Sequence, residues 1–176
     1  MTFVEYMEAM KGFRQYTDVG NNIRYPALGL VSEVGEMAGK LKKYLYRDKI
    51  DEADFRTAFM AELGDVMWYV AAVMHEVEIP CPAAIKPGQD MNDEDLYGIV
   101  MMMVMSSTRV ANHAFSVDTA KANIDDIIRS ATFLLFSAEV IAKRFGMSLG
   151  YILTSNIAKL SSRKERSVIT GDGDNR

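Results

Sequence analysis

Proline placement constrains this chain more than any other feature. Only Pro26, Pro80, Pro82 and Pro87 occur, and they leave long stretches of helical apolar periodicity uninterrupted. Those stretches predict helices over about Thr2–Tyr16, Pro26–Tyr46, Asp51–Glu78, Asn92–Phe115 and Asp118–Phe145, with a last one from Ser148 to about Arg163. Pro26 suits the first position of its helix, Gly146 a C-cap and Ser148 an N-cap. Pro80 to Met91 reads as a loop, and the tail SVITGDGDNR as a loop or an arm that closes over a ligand. Nothing alternates long enough to make a sheet. The expected fold is all-α, a helical bundle of about six helices around a four-helix core.

The helices also pair with one another in sequence. Setting Leu28-Gly29 against Tyr97-Gly98 aligns the second helix with the fourth, and setting Ala61–Asp65 against Ile128–Thr132 aligns the third with the fifth. Glu33 then faces Met102, Glu36 faces Met105, Glu62 faces Arg129 and Asp65 faces Thr132. Either the chain holds a degenerate internal repeat of a helix hairpin, or amphipathic helices of similar length resemble each other by chance. A single domain over 1–176 is expected, with a carboxylate-bearing half at 1–80, a second hairpin at 90–146 and a C-terminal helix with its basic tail at 147–176. The second hairpin is expected to serve as a wall of the site.

Chemistry concentrates in the first hairpin. Glu33-Val-Gly-Glu36 and Glu62-Leu-Gly-Asp65 share the form acid-x-Gly-acid, and residues three apart lie on one helix face. Both pairs sit among apolar residues, where carboxylates are costly unless a cation neutralises them. Antiparallel packing would set the pairs face to face, with Gly35 and Gly64 letting the backbones approach. Four oxygen ligands without a nearby thiolate or imidazole suit a hard ion, Mg²⁺ with Mn²⁺ as substitute. The competing interpretation is four solvated surface acids. A di-iron bundle needs Glu-x-x-His, but Ala72 and Val110 stand three residues before His75 and His113, the two histidines.

Composition narrows the partners. The chain has 176 residues, 49% hydrophobic and 25% charged, the balance of one globular domain. No uninterrupted apolar run reaches a bilayer's thickness, the start is not a signal or transit peptide, and Cys81 is the single cysteine; a cytoplasmic protein away from membranes is expected. A net charge of −4 gives no reason to expect nucleic-acid binding. The exception is local: Lys159, Arg163, Lys164 and Arg166 against Glu165 read either as a solvated helix end or as a phosphate contact.

The segments ALGLVSEVGEMAGKLKK, AELGDVMWYVAAV and NIAKLSSRKERSVITGDGDNR resemble the MazG-like branch of the all-α nucleoside triphosphate pyrophosphohydrolases. The E-x-x-E…E-x-x-D motif of that superfamily is matched by Glu33, Glu36, Glu62 and Asp65, and its Asn-x-x-Lys-x-x-x-Arg element by Asn156, Lys159 and Arg163. The resemblance covers roughly residues 25–78 and 147–176; the stretch 79–146 is longer than the usual connection. It implies Mg²⁺-dependent cleavage of an NTP or dNTP between the α- and β-phosphates, releasing pyrophosphate. It also implies that Lys159 and Arg163 contact phosphate, and that subunits pair hairpins to complete a four-helix core. If the repeat is real, one chain supplies both hairpins; a homodimer or higher homo-oligomer is still expected.

Within that expectation Glu33 is the candidate general base, and Lys40, seven residues on, the candidate assisting cation. Trp68 is either a base-stacking residue or, by default, core, with Tyr69 beside it. The Met101–Met105 run reads as flexible core filler. Three rival functions remain: a nucleotide-binding or sensing module with little turnover, a narrow dUTP or dCTP pyrophosphatase, and a purely structural bundle.

Overall fold

A computed structural model describes residues 1–47, 49–79, 95–115 and 124–166. Six α-helices fill it: α1 (Phe3–Met10), α2 (Arg24–Tyr46), α3 (Glu52–Glu76), α4 (Leu96–Phe115), α5 (Ile124–Arg144) and α6 (Leu149–Glu165). No strand occurs among the described residues. The hairpin α2–α3 packs on the hairpin α4–α5, with α2 against α4 and α3 against α5. Four helices of one chain thus enclose the core, the arrangement a duplicated hairpin would produce. Helix α6 lies across α3 and α5, and α1 across α6 and α3.

Helix starts follow local chemistry. Thr2 and Glu5 form a reciprocal capping box at α1, the Asp51 carboxylate accepts from Ala53 N at 2.8 Å, and Ser148 Oγ accepts from Tyr151 N at 3.2 Å. Pro26 sits two residues inside α2 rather than opening it, still among the N–H groups that lack helical partners. The first helix is shorter than its periodicity suggests. It tightens into a 3₁₀ turn at Lys11–Phe13, beside Gly12, and is extended by Arg14. Gly146 ends α5 with φ +69°, the left-handed conformation that glycine adopts without strain. The starts expected at Asn92 and Asp118, the Pro80–Met91 loop, Cys81 and the arm beyond Arg166 lie outside the described residues.

The long stretch between α1 and α2 is held by one acid. The Glu76 side chain, fully buried, accepts from Tyr16 Oη at 2.6 Å, Gly20 N at 2.8 Å and Asn22 N at 2.7 Å, with Arg14 4.0 Å away. The preceding residue on α3, His75, has its Nε2 2.9 Å from the Met7 carbonyl and ties α1 to the bundle.

Helix α3 is the central element. Fourteen of its 25 residues are buried, among them Phe59, Leu63, Met67 and Val70. By length and composition it could span a membrane, with mean hydropathy 1.2. However, 72% of that stretch is buried within the bundle, which accounts for its apolarity. The methionine run divides by face: Met103 is fully buried, whereas Met105 is 62% exposed, so core filling explains only part of it.

Candidate metal and phosphate site

Glu33 lies midway along α2, and Glu62 and Asp65 lie midway along α3. One carboxylate oxygen from each falls within 4.8 Å of the other two. Glu62 is buried at 2% exposure, an expensive position for a charge unless it is paired. Its partner is Lys40, whose Nζ stands 2.8 Å from Oε1. Lys40 was expected on this face as an assisting cation; here it neutralises a carboxylate.

Asp65 is held from α6. Lys159 Nζ donates to its two oxygens at 2.6 and 2.5 Å, and Asn156 Nδ2 donates to Oδ1 at 2.8 Å. The amide is oriented in turn by the buried Tyr6 hydroxyl of α1, which donates to Asn156 Oδ1 at 2.7 Å. Burial, reinforced by the Asp65 charge, keeps the Tyr6 phenol protonated well above its usual range. Tyr6 and Asn156 therefore form a relay from α1 through α6 to Asp65 on α3, with Lys159 bonding the same carboxylate. The side wall expected from the second hairpin is, beside Asp65, supplied by α6.

Glu33 makes no salt bridge among the described residues. Burial pushes its carboxyl up to about 8, with further lifting from Asp65, Glu36 and Glu62 and opposition from Lys159. Two lysines do not fully compensate three carboxylates, and Glu33 carries the excess. Mg²⁺–oxygen bonds of about 2.1 Å set ligand oxygens about 3.0 Å apart at right angles and about 4.2 Å apart when opposed, so oxygens within 4.8 Å of one another close on the ion with side-chain movements of about 1 Å. Glu33, Glu62 and Asp65 thus fit a hard divalent ion. Glu36 is the exception to the expected set. It is exposed one turn along α2, outside the three converging carboxylates, and reaches Glu33 through its charge alone.

The two motif glycines are not equivalent. A Cβ on Gly64 would meet the Asn156 side chain at 3.2 Å, so this glycine lets α6 close on α3. Gly35 faces open space and permits no close approach. The tight contact between α2 and α3 is instead at Gly29, where a Cβ would lie 2.1 Å from the Tyr69 ring.

Beside the carboxylates a cleft of about 290 Å³ runs between α3 and α6, lined in part by Met60, Gly64, Tyr151, Asn156 and Lys159. Lys159 and Asn156 line the cleft and also hold Asp65, so the two are neighbours. Arg163, one turn further along α6, is buried at 7% exposure. Trp68 is 9% exposed and packs edge-on against Tyr69, with ring centroids 4.8 Å apart. This is core packing rather than an open stacking face, although its Nε1 donor is left without a partner. Sequence reasoning missed Tyr6, Met60 and Tyr151. Tyr6 and Tyr151 lie on helices whose packing no spacing rule specifies, and Met60 reads as one more apolar position of α3.

No family model and no solved structure matches the chain. The chain is similar to the "Gene 37 protein" of Mycobacterium phage L5, 43% identical over 58 residues. That similarity spans 32% of this chain and 51% of the phage protein.

Proposed function

We propose that this protein hydrolyses nucleoside triphosphates to the monophosphate and pyrophosphate, as the resemblance to MazG-like pyrophosphohydrolases implies, with Mg²⁺ held by Glu33, Glu62 and Asp65 of the four motif acids. The observation that carries the reading is the meeting of three carboxylates from α2 and α3 with Lys159, which also lines the neighbouring cleft. A bound divalent ion supplies charge neutralisation at the phosphate oxygens and a lowered pKa for water.

The chain's own residues do the rest. The nucleoside lies along the α3–α6 cleft, against Met60 and Tyr151, so that its phosphates reach Lys159. Anionic phosphate draws Lys159 off Asp65, freeing that carboxylate as a ligand while the ammonium moves to the substrate. Arg163, on the same side of α6, holds the departing pyrophosphate with Lys159. Glu33, the one of the three with no salt bridge among the described residues, accepts the proton of the attacking water. Tyr6 and Asn156 keep Asp65 in register, and Lys40 does the same for Glu62.

A panel of NTPs and dNTPs with Mg²⁺, scored for monophosphate and pyrophosphate, tests the proposal. Turnover abolished by Glu62→Gln and by chelation is the expected result. Activity confined to dUTP or dCTP would narrow the substrate. Orthophosphate release, or nucleotide binding without turnover, would overturn the reaction, the latter in favour of a sensing module.

A further inference from the structure

The second hairpin carries a cleft of its own. About 400 Å³ opens between α4 and α5, walled by Met102, Met105 and Phe133 and bearing Arg109, Arg129 and Ser130 as donors. In the helix pairing given above, Met102, Met105 and Arg129 occupy the positions of Glu33, Glu36 and Glu62. In that pairing two thioethers and a cation stand where the first hairpin has three acids. Where the first hairpin offers a metal ligand set, this face favours an anion.

Two further observations point to a ligand. Ser130 is 3% exposed, and its Oγ has no hydrogen-bond partner although it borders the cleft. A buried hydroxyl left unpaired costs about 1–3 kcal/mol, a cost that a ligand oxygen would relieve. Arg109 and Arg129 enter the same space with one carboxylate, Asp126, which is hydrogen-bonded to Arg129 and 3.6 Å from His113 Nε2. Arg109 is thus the cation of the pair that no salt bridge among the described residues engages. The volume lies within the range of small-ligand sites, and methionine with phenylalanine gives an adaptable apolar wall for a flat ring.

We infer that the α4–α5 cleft is a second, metal-independent site for a nucleoside monophosphate, with phosphate on Arg109, Arg129 and Ser130 and the base against Met102, Met105 and Phe133. It goes beyond the proposed hydrolysis, and its test does not depend on turnover. Calorimetric titration of the full chain with UMP and with AMP, in EDTA, reads the site directly. Arg109→Ala and Ser130→Ala are each expected to weaken binding at least tenfold, whereas Lys159→Ala and Glu62→Gln leave it within twofold. Inorganic phosphate is expected to compete with the nucleotide. Ser130→Ala removes an unpaired buried hydroxyl, so its melting temperature should match or exceed the wild type, separating lost binding from lost folding. Binding that vanishes with Lys159→Ala but survives Arg109→Ala would move the ligand to the carboxylate hairpin and overturn the inference. So would the absence of measurable binding by either monophosphate at millimolar concentration.

Discussion

Glu33→Gln should stabilise the metal-free protein at alkaline pH, a direct consequence of crowding three carboxylates around two lysines. In the fold, the Glu33 carboxyl is pushed from its ordinary 4.5 to about 8, first by burial and then by Asp65, Glu36 and Glu62. Between those values the folded chain keeps a proton that the unfolded chain has lost. Stability therefore falls as pH rises through this window, and the loss is complete above about 8. A displacement of that size corresponds to at most about 5 kcal/mol. Glu33 is only partly buried, and solvent screening leaves roughly 2 kcal/mol. For a chain of this length that is roughly 4–8 °C in melting temperature. The assay is a thermal melt of wild type and variant in EDTA at pH 5, 7 and 8.5. Glutamine carries no charge to lose, so the difference between the two proteins isolates Glu33 from every other titrating group. It should be near zero at pH 5 and grow to several degrees at pH 8.5. Adding Mg²⁺ at pH 8.5 should reverse the order, because the wild-type carboxylate is then neutralised by the ion. A difference that stays flat with pH would refute the reasoning, for it would mean that Glu33 is ionised as easily in the fold as in the unfolded chain.

Other consequences follow from the same geometry. Glu62→Gln should abolish the Mg²⁺-dependent rise in melting temperature, while Glu36→Gln, outside the converging set, should at most halve it; calorimetric melts at matched Mg²⁺ decide. Tyr6→Phe removes the donor that orients Asn156 and should cost about 1 kcal/mol by denaturant titration, together with a fall in kcat at little change in KM. Gly29→Ala forces a methyl into the Tyr69 ring and should destabilise by about 1–3 kcal/mol despite alanine's helix preference. Gly35→Ala meets open space and should stabilise by about 0.5–1 kcal/mol.

How much was legible depended on whether the cause was local. The helical bundle followed from periodicity and caps, and Ser148 and Gly146 behave as their residue types dictate. The meeting of Glu33 with Glu62 and Asp65 was legible because i, i+3 spacing fixes a face and a hairpin sets two such faces together. What escaped was lateral. Glu36 shares the spacing of Glu33 but is turned to solvent, since α2 offers α3 only one edge and Met37 and Val34 take the core beside it. The roles of Gly29, Gly35 and Gly64 were likewise beyond reach, because a glycine's use depends on which neighbouring helix approaches it. Tyr6 and Asn156 meet across 150 residues of sequence, and no local pattern encodes such a contact.

The placement of α6 bears on why the two hairpins differ chemically. Helix α6 crosses α3 and brings Lys159 and Asn156 to Asp65, so carboxylates there have cations and an amide to hold them. The α4–α5 cleft has Arg109 and Arg129 on its own two helices, and its single acid, Asp126, already engages Arg129. An acid cluster at Met102, Met105 and Arg129 would have Arg109 as its one cation in the cleft, where Lys40 and Lys159 both serve the other side. It would raise its own protonation state, as Glu33 does even with help. A chain with one α6 can therefore support one carboxylate cluster, and the opposite hairpin is driven toward apolar and cationic residues. On this argument, restoring acids at Met102 and Arg129 together should destabilise the fold unless a divalent ion is present. A double variant as stable in EDTA as the wild type would show that α6 is not what confines the acids to α2 and α3.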